Sequence, residues 1–71
     1  MNYNLILKFI YKQGGTGNVM EALGWDASKH KEGFIIANEM QNLNYVKLLY
    51  SNFNKNLIVV ELTRVGIGAA K

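Results

Sequence analysis

Apolar residues recur along this chain with two different periods, and the change of period divides it. Over 4–13, Ile6 and Ile10 share one helical face with Tyr3, Leu5 and Phe9 widen that face, and Leu7 and Tyr11 lie further round. A second, shorter helical segment covers 18–24, with Val19 and Leu23 at i and i+4 pointing inward. The third is the longest, 28–43. Gly33, Ile36, Ala37, Met40 and Leu43 gather on its core side, and Ser28, Lys31, Ile35, Asn38 and Asn42 lie opposite. Beyond Asn44 the period becomes two. Val46, Leu48 and Tyr50 alternate with Lys47, Leu49 and Ser51, then Ile58, Val60 and Leu62 with Leu57, Val59 and Glu61. Two strands follow, 46–51 and 57–63, with Leu62 and Val60 facing inward because Glu61 must face water. The loop between them is polar apart from Phe53 and has the length of an ordinary hairpin turn. The predicted class is α+β, mainly α: three helices and then a two-stranded antiparallel hairpin, in one domain over 1–71.

With no proline in the chain, seven glycines and nine asparagines carry the punctuation. Gly14 and Gly15 end the first helix. The run Gly14-Gly15-Thr16-Gly17 reads as a plain turn between helices. No strand precedes it and no Lys-Ser/Thr pair follows it, so it matches neither phosphate-binding fingerprint. Asn18, with Glu21 three residues on, resembles a capping box, and Thr16 is the rival cap. Gly24 stops the second helix and Trp25 packs beneath the turn. Asp26 and Ser28 compete as N-caps of the third helix, and Asn44, which tolerates the left-handed conformation, caps its end. The last residues, from Thr63, either start a short helix or fray.

Seventy-one residues bury only about 60% of the unfolded chain's surface. A hydrophobic share of 49% is generous for that size, and part of the surplus can serve a dimer contact through Tyr3, Leu7 and Tyr11. Without cysteine there are no disulfides, thiolate metal sites or thiol nucleophiles. One histidine and isolated carboxylates such as Glu39 and Glu61 recommend neither an enzyme nor a metal or cofactor site. The net charge of +3 is mildly basic and suits a polyanion. The longest apolar run in the first helix, Leu5-Ile6-Leu7, is broken by Lys8, and no secretory signal is visible. No membrane partner is expected. The expected setting is the cytoplasm, at the nucleoid or in a host cell if the source is viral.

From Val19 to Gly66 the chain resembles winged helix-turn-helix regulators, the broad class that includes the MarR and PadR groups. Val19-Met20-Glu21-Ala22-Leu23-Gly24 resembles their second helix ending in Leu-Gly, and 28–43 is similar to their recognition helix. Leu43-Asn44-Tyr45-Val46 resembles the lead-in to the first wing strand, and Leu62-Thr63-Arg64-Val65-Gly66 resembles the Leu-Thr-x-x-Gly pattern that closes the second. Met20 stands where the family has a small alanine, Asn44 replaces its glycine, and the stretch from Gly24 to Val46 is about one helical turn longer than usual.

The resemblance implies a sequence-specific double-stranded DNA-binding protein, a homodimeric transcriptional regulator whose third helix enters the major groove. Lys31 and Asn38 then face base edges, Lys toward guanine and Asn toward adenine. Ser28 reaches a base or a phosphate. Lys29, His30, Lys12 and, at the wing tip, Lys55 supply phosphate contacts. Ile35 is either a contact to a thymine methyl or an ordinary exposed apolar residue. Glu32 and Glu39 oppose indiscriminate coating of DNA. The alternative is a winged-helix protein-interaction module that uses helix 1 and the wing.

Overall fold

The computed structural model describes residues 3–51 and 56–71. In chain order the elements are α1 (Asn4–Lys12), β1 (Thr16–Asn18), α2 (Val19–Leu23), a 3-10 turn (Ala27–Lys29), α3 (His30–Asn42), β2 (Val46–Ser51), β3 (Ile58–Leu62) and α4 (Arg64–Ala70). The α+β expectation is met, with two additions among the described residues. The two-stranded hairpin is part of a three-stranded antiparallel sheet of order β1-β3-β2, and the tail forms α4. Phe53 and Lys55 lie outside the described residues.

β1 corrects the reading of Thr16 and Gly17 as a plain turn. Thr16 pairs with Glu61, Gly17 with Val60 and Asn18 with Val59. The Leu62 amide extends this pairing by donating to the Gly15 carbonyl at 2.7 Å. A three-residue strand has no room for a readable alternation. Its partner lies about forty positions on, so local pattern is silent there.

Asn18 is the joint between β1 and α2. Its Oδ1 accepts from the Met20 amide at 3.1 Å, which caps α2, and from the Ile58 amide at 2.9 Å, at the start of β3. Its Nδ2 donates to the Asn56 carbonyl at 2.8 Å. One exposed-to-buried turn thus carries three bonds from a single amide. Gly24 closes α2 in the left-handed conformation, as does Asn44 after α3, at φ 68°.

The core sits between the helices and the inner face of the sheet. α1 contributes Ile6, Leu7 and Ile10, α2 Val19 and Met20, α3 Ile36, Ala37 and Met40, and the sheet Val46, Ile58, Val60 and Leu62, with Ala70 of α4. The inward set of β3 is the one its alternation predicts. Two helix assignments shift. The buried stripe of α1 turns toward Leu7, which is 1% exposed, and leaves Leu5 outside at 79%. Leu43, assigned to the core face of α3, is 52% exposed, because it falls after the last helical residue at the C-cap. In β2 an irregularity between Leu48 and Tyr50 interrupts the alternation. Leu48 opposes Val60 but Tyr50 opposes Val59, so Leu49 is an extra residue and both Leu49 and Tyr50 are exposed.

Two close approaches fix how the layers meet. At Gly33, in the middle of α3, an added Cβ would overlap the buried Met20 sulfur and stand 3.3 Å from Ile58 Cδ1. At Gly66 an added Cβ would overlap the Tyr45 carbonyl oxygen, with that carbonyl's carbon 2.9 Å away. Around Gly66, Thr63 accepts from the Gly66 amide at 3.0 Å to cap α4, while its hydroxyl donates to the Asn44 and Tyr45 carbonyls and its amide to Tyr45 at 3.0 Å.

Three stability outcomes follow, each readable by urea or thermal unfolding. Gly66→Ala destabilises by about 2 kcal/mol or more, because its neighbour is backbone and cannot swing aside. Asn18→Ala costs about 2–3 kcal/mol, the sum of a lost cap and an unpaired Ile58 amide. Asn18→Asp keeps the acceptor and costs less. Gly33→Ala and Met20→Ala each destabilise, one by overpacking and one by a cavity. Combined, they cost less than their sum by about 1 kcal/mol or more, since the added methyl enters the vacated space. Additive losses would show that the two residues are not coupled.

Candidate functional site

The chain reaches α3 through an ordered turn. Asp26 Oδ1 accepts from the Ser28 amide at 3.0 Å and from the Ser28 hydroxyl at 2.5 Å, so Asp26 is the cap and Ser28 its donor. These bonds, the hydroxyl's first, hold the Asp26 carboxyl below its ordinary pKa. The Ser28 hydroxyl is therefore engaged within the turn. The Lys29 ammonium lies 5.3 Å from the centre of the Trp25 ring, a cation–π distance, and Trp25 itself is half-buried against the core. Both residues assigned to DNA thus have partners within the chain, and the helix proper starts only at His30.

From there α3 lies against α2, β2 and β3. Near its end Gln41 accepts from the Leu48 amide at 2.7 Å, which ties the helix to the edge strand β2. The opposite side faces solvent. Lys31 and Asn42 are exposed, Ile35 is 50% exposed, and Asn38 is half-buried. Four side chains on the first turns, His30, Lys31, Phe34 and Ile35, line an open depression of about 470 Å³. The His30 ring stacks on Phe34 with centres 6.3 Å apart and planes inclined by 27°. His30 Nε2 is buried and has no hydrogen-bond partner. A buried polar atom left unpaired is uncommon, since it has lost water without compensation.

Phe34 was absent from the sequence-derived site. Its spacing of four from His30 placed the two on one helical face, but an aromatic at that spacing reads first as core.

Glu39, exposed on α3, is engaged from α1. Its carboxylate accepts from the Tyr3 hydroxyl at 2.7 Å, and the Tyr3 ring meets Tyr45 at 6.4 Å. The bond to Glu39 raises the Tyr3 phenol's pKa above its ordinary value. Tyr3 is thereby committed to contacts inside the chain, and so is Leu7, buried in the chain's own core. Neither is free for the dimer contact assigned to them. Tyr11 remains exposed, and Leu5 is the outward apolar residue the assignment missed. The displacement has one cause: the wheel's stripe is read without knowing that α4 and β1 also cover α1.

Lys12 is exposed at the far end of α1, whereas Tyr3, at the near end, makes the contact with α3. The structure does not join Lys12 to the α3 face, and Lys55 lies outside the described residues. Among the described residues no group of three or more His, Asp or Glu side chains is placed to hold a metal ion, and no helix is long and apolar enough to cross a membrane. Comparisons of the chain with protein-family models, curated proteins and solved structures found no match.

Proposed function

We propose that the chain is a sequence-specific double-stranded DNA-binding protein of the winged helix-turn-helix kind, a homodimeric transcriptional regulator that places α3 in the major groove. The observation that carries this reading is the outward face of α3. Lys31, Ile35 and Asn38 lie along one side of a helix whose other side packs on α2, β2 and β3, and a helix can enter a groove about 12 Å wide. The order α1, β1, α2, α3, β2, β3, with β3 between β1 and β2, supports the winged-helix assignment. A net charge of +3 favours the polyanion. For the homodimer, Leu5 and Tyr11 replace Tyr3 and Leu7 as the available apolar residues of α1.

The experiment selects the tightest duplexes from a random-sequence pool and measures their binding by fluorescence anisotropy at low and moderate salt. Binding weakens as salt rises, because phosphate contacts release counterions. Lys31→Ala with Asn38→Ala lowers affinity for the selected duplex by about tenfold or more, each base contact being worth roughly 1–3 kcal/mol. Thermal unfolding stays near the parent's, since neither residue is in the core. Unchanged affinity in the double variant would remove α3 as the reading helix. Failure to enrich any duplex would remove the DNA reading and favour a protein-interaction module working through the exposed apolar residues of α1.

A further inference from the structure

We infer that the depression on the first turns of α3 reads the major-groove edge of thymine, an inference that rests on the DNA-binding reading above. Its chemistry is mixed in a particular way. Phe34 and Ile35 make apolar walls, the His30 ring stacks on Phe34, and Lys31 brings an ammonium donor. A matching ligand therefore offers an apolar group with a hydrogen-bond acceptor beside it.

Among the four bases one edge has that pairing. Thymine presents its C5-methyl group next to the O4 acceptor. Guanine presents two acceptors and no methyl, adenine an acceptor beside a donor, and cytosine a donor that Lys31 repels. The thymine methyl packs between Phe34 and Ile35, and O4 accepts from the Lys31 ammonium. Charge points the same way. Lys31 is the depression's own cation, and no carboxylate is among the four side chains that line it. Asn38, one turn along from Ile35, suits adenine, so the helix favours a site that holds thymine and adenine near one another.

The test resynthesises the tightest duplexes from the random pool with uracil in place of single thymines. That removes one methyl group and keeps both base pairing and O4. At one thymine or more, the change to uracil weakens binding about fourfold, the worth of one methyl group withdrawn from water. In Ile35→Ala that difference between thymine and uracil shrinks, since one of the two apolar walls is lost, and in Ile35→Val it is kept. Ile35 is half exposed, so circular dichroism shows both variants folded as the parent is. Duplexes that bind equally well with uracil at every position overturn the thymine inference and leave the DNA reading standing. A uracil penalty that persists undiminished in Ile35→Ala assigns the methyl contact to another part of the chain and overturns it too. If the parent binds no duplex at all, both readings fall together.

Discussion

The Asn18 side chain holds together three segments: the end of β1, the start of α2 and the start of β3. Its oxygen satisfies the second amide of α2 and the first amide of β3, and its nitrogen reaches back to Asn56. β3 is the central strand, flanked by β1 and β2, so whatever fixes its start also fixes the sheet. The far end of β3 is fixed by a second polar node. There Thr63 caps α4 and binds the two carbonyls that follow α3. Between the two nodes β3 pairs along both edges, with β1 and with β2, while its apolar side chains set how closely the layers approach. The polar ends reinforce that register, because a one-residue slip would leave amides of this kind unpaired as well as turning Ile58, Val60 and Leu62 outward.

Size complementarity then sets the angle between helices and sheet. Met20 is bulky, and the space it needs is left by Gly33, whose missing side chain admits the sulfur. Such a large-against-small pairing fills the core only while both partners are kept. The Leu-Thr-x-x-Gly stretch has an equally local reason. Leu62 enters the core, Thr63 caps α4, and Gly66 lets the first turn of α4 lie on the Tyr45 carbonyl. α4 then covers α1, and this is why Leu7 is buried and Leu5 is left outside.

What the sequence made legible were features decided within a few residues. Asn18 as a cap, Asn44 as a left-handed terminus and the inward set of β3 each follow from local sterics or from a period of two. What it hid was decided elsewhere in the chain. β1 exists because β3 has a free edge for Gly17 and its neighbours to join, a fact with no trace in Gly14-Gly15-Thr16-Gly17. The extra residue at Leu49 breaks an alternation that looked continuous. At the candidate site, the outward positions Lys31, Ile35 and Asn38 were readable from the helical wheel. The engagement of Ser28 by Asp26, of Lys29 by Trp25 and of Glu39 by Tyr3 was not, because each is a contact between elements or across a turn.

Those three engagements change what kind of surface α3 presents. A helix bearing Lys29, Lys31 and Glu39 free in solvent would be an electrostatic surface with opposed signs. With Lys29 over Trp25 and Glu39 bonded to Tyr3, what remains on the Lys31 side is one lysine among apolar and amide groups, with the exposed Glu32 further round the helix. Each phosphate neutralised contributes about 0.9 to the salt slope, so a face with one free lysine carries little of that dependence. On the proposed reading, the phosphate contacts that supply affinity therefore come from cations elsewhere in the chain. The exposed Lys8, Lys12, Lys47 and Arg64 are available for that task. Selectivity is left to the α3 face, whose apolar and amide groups distinguish base edges better than they hold charge. Affinity and selectivity would thus sit on different elements, joined by the sheet whose central strand Asn18 and Thr63 hold in register.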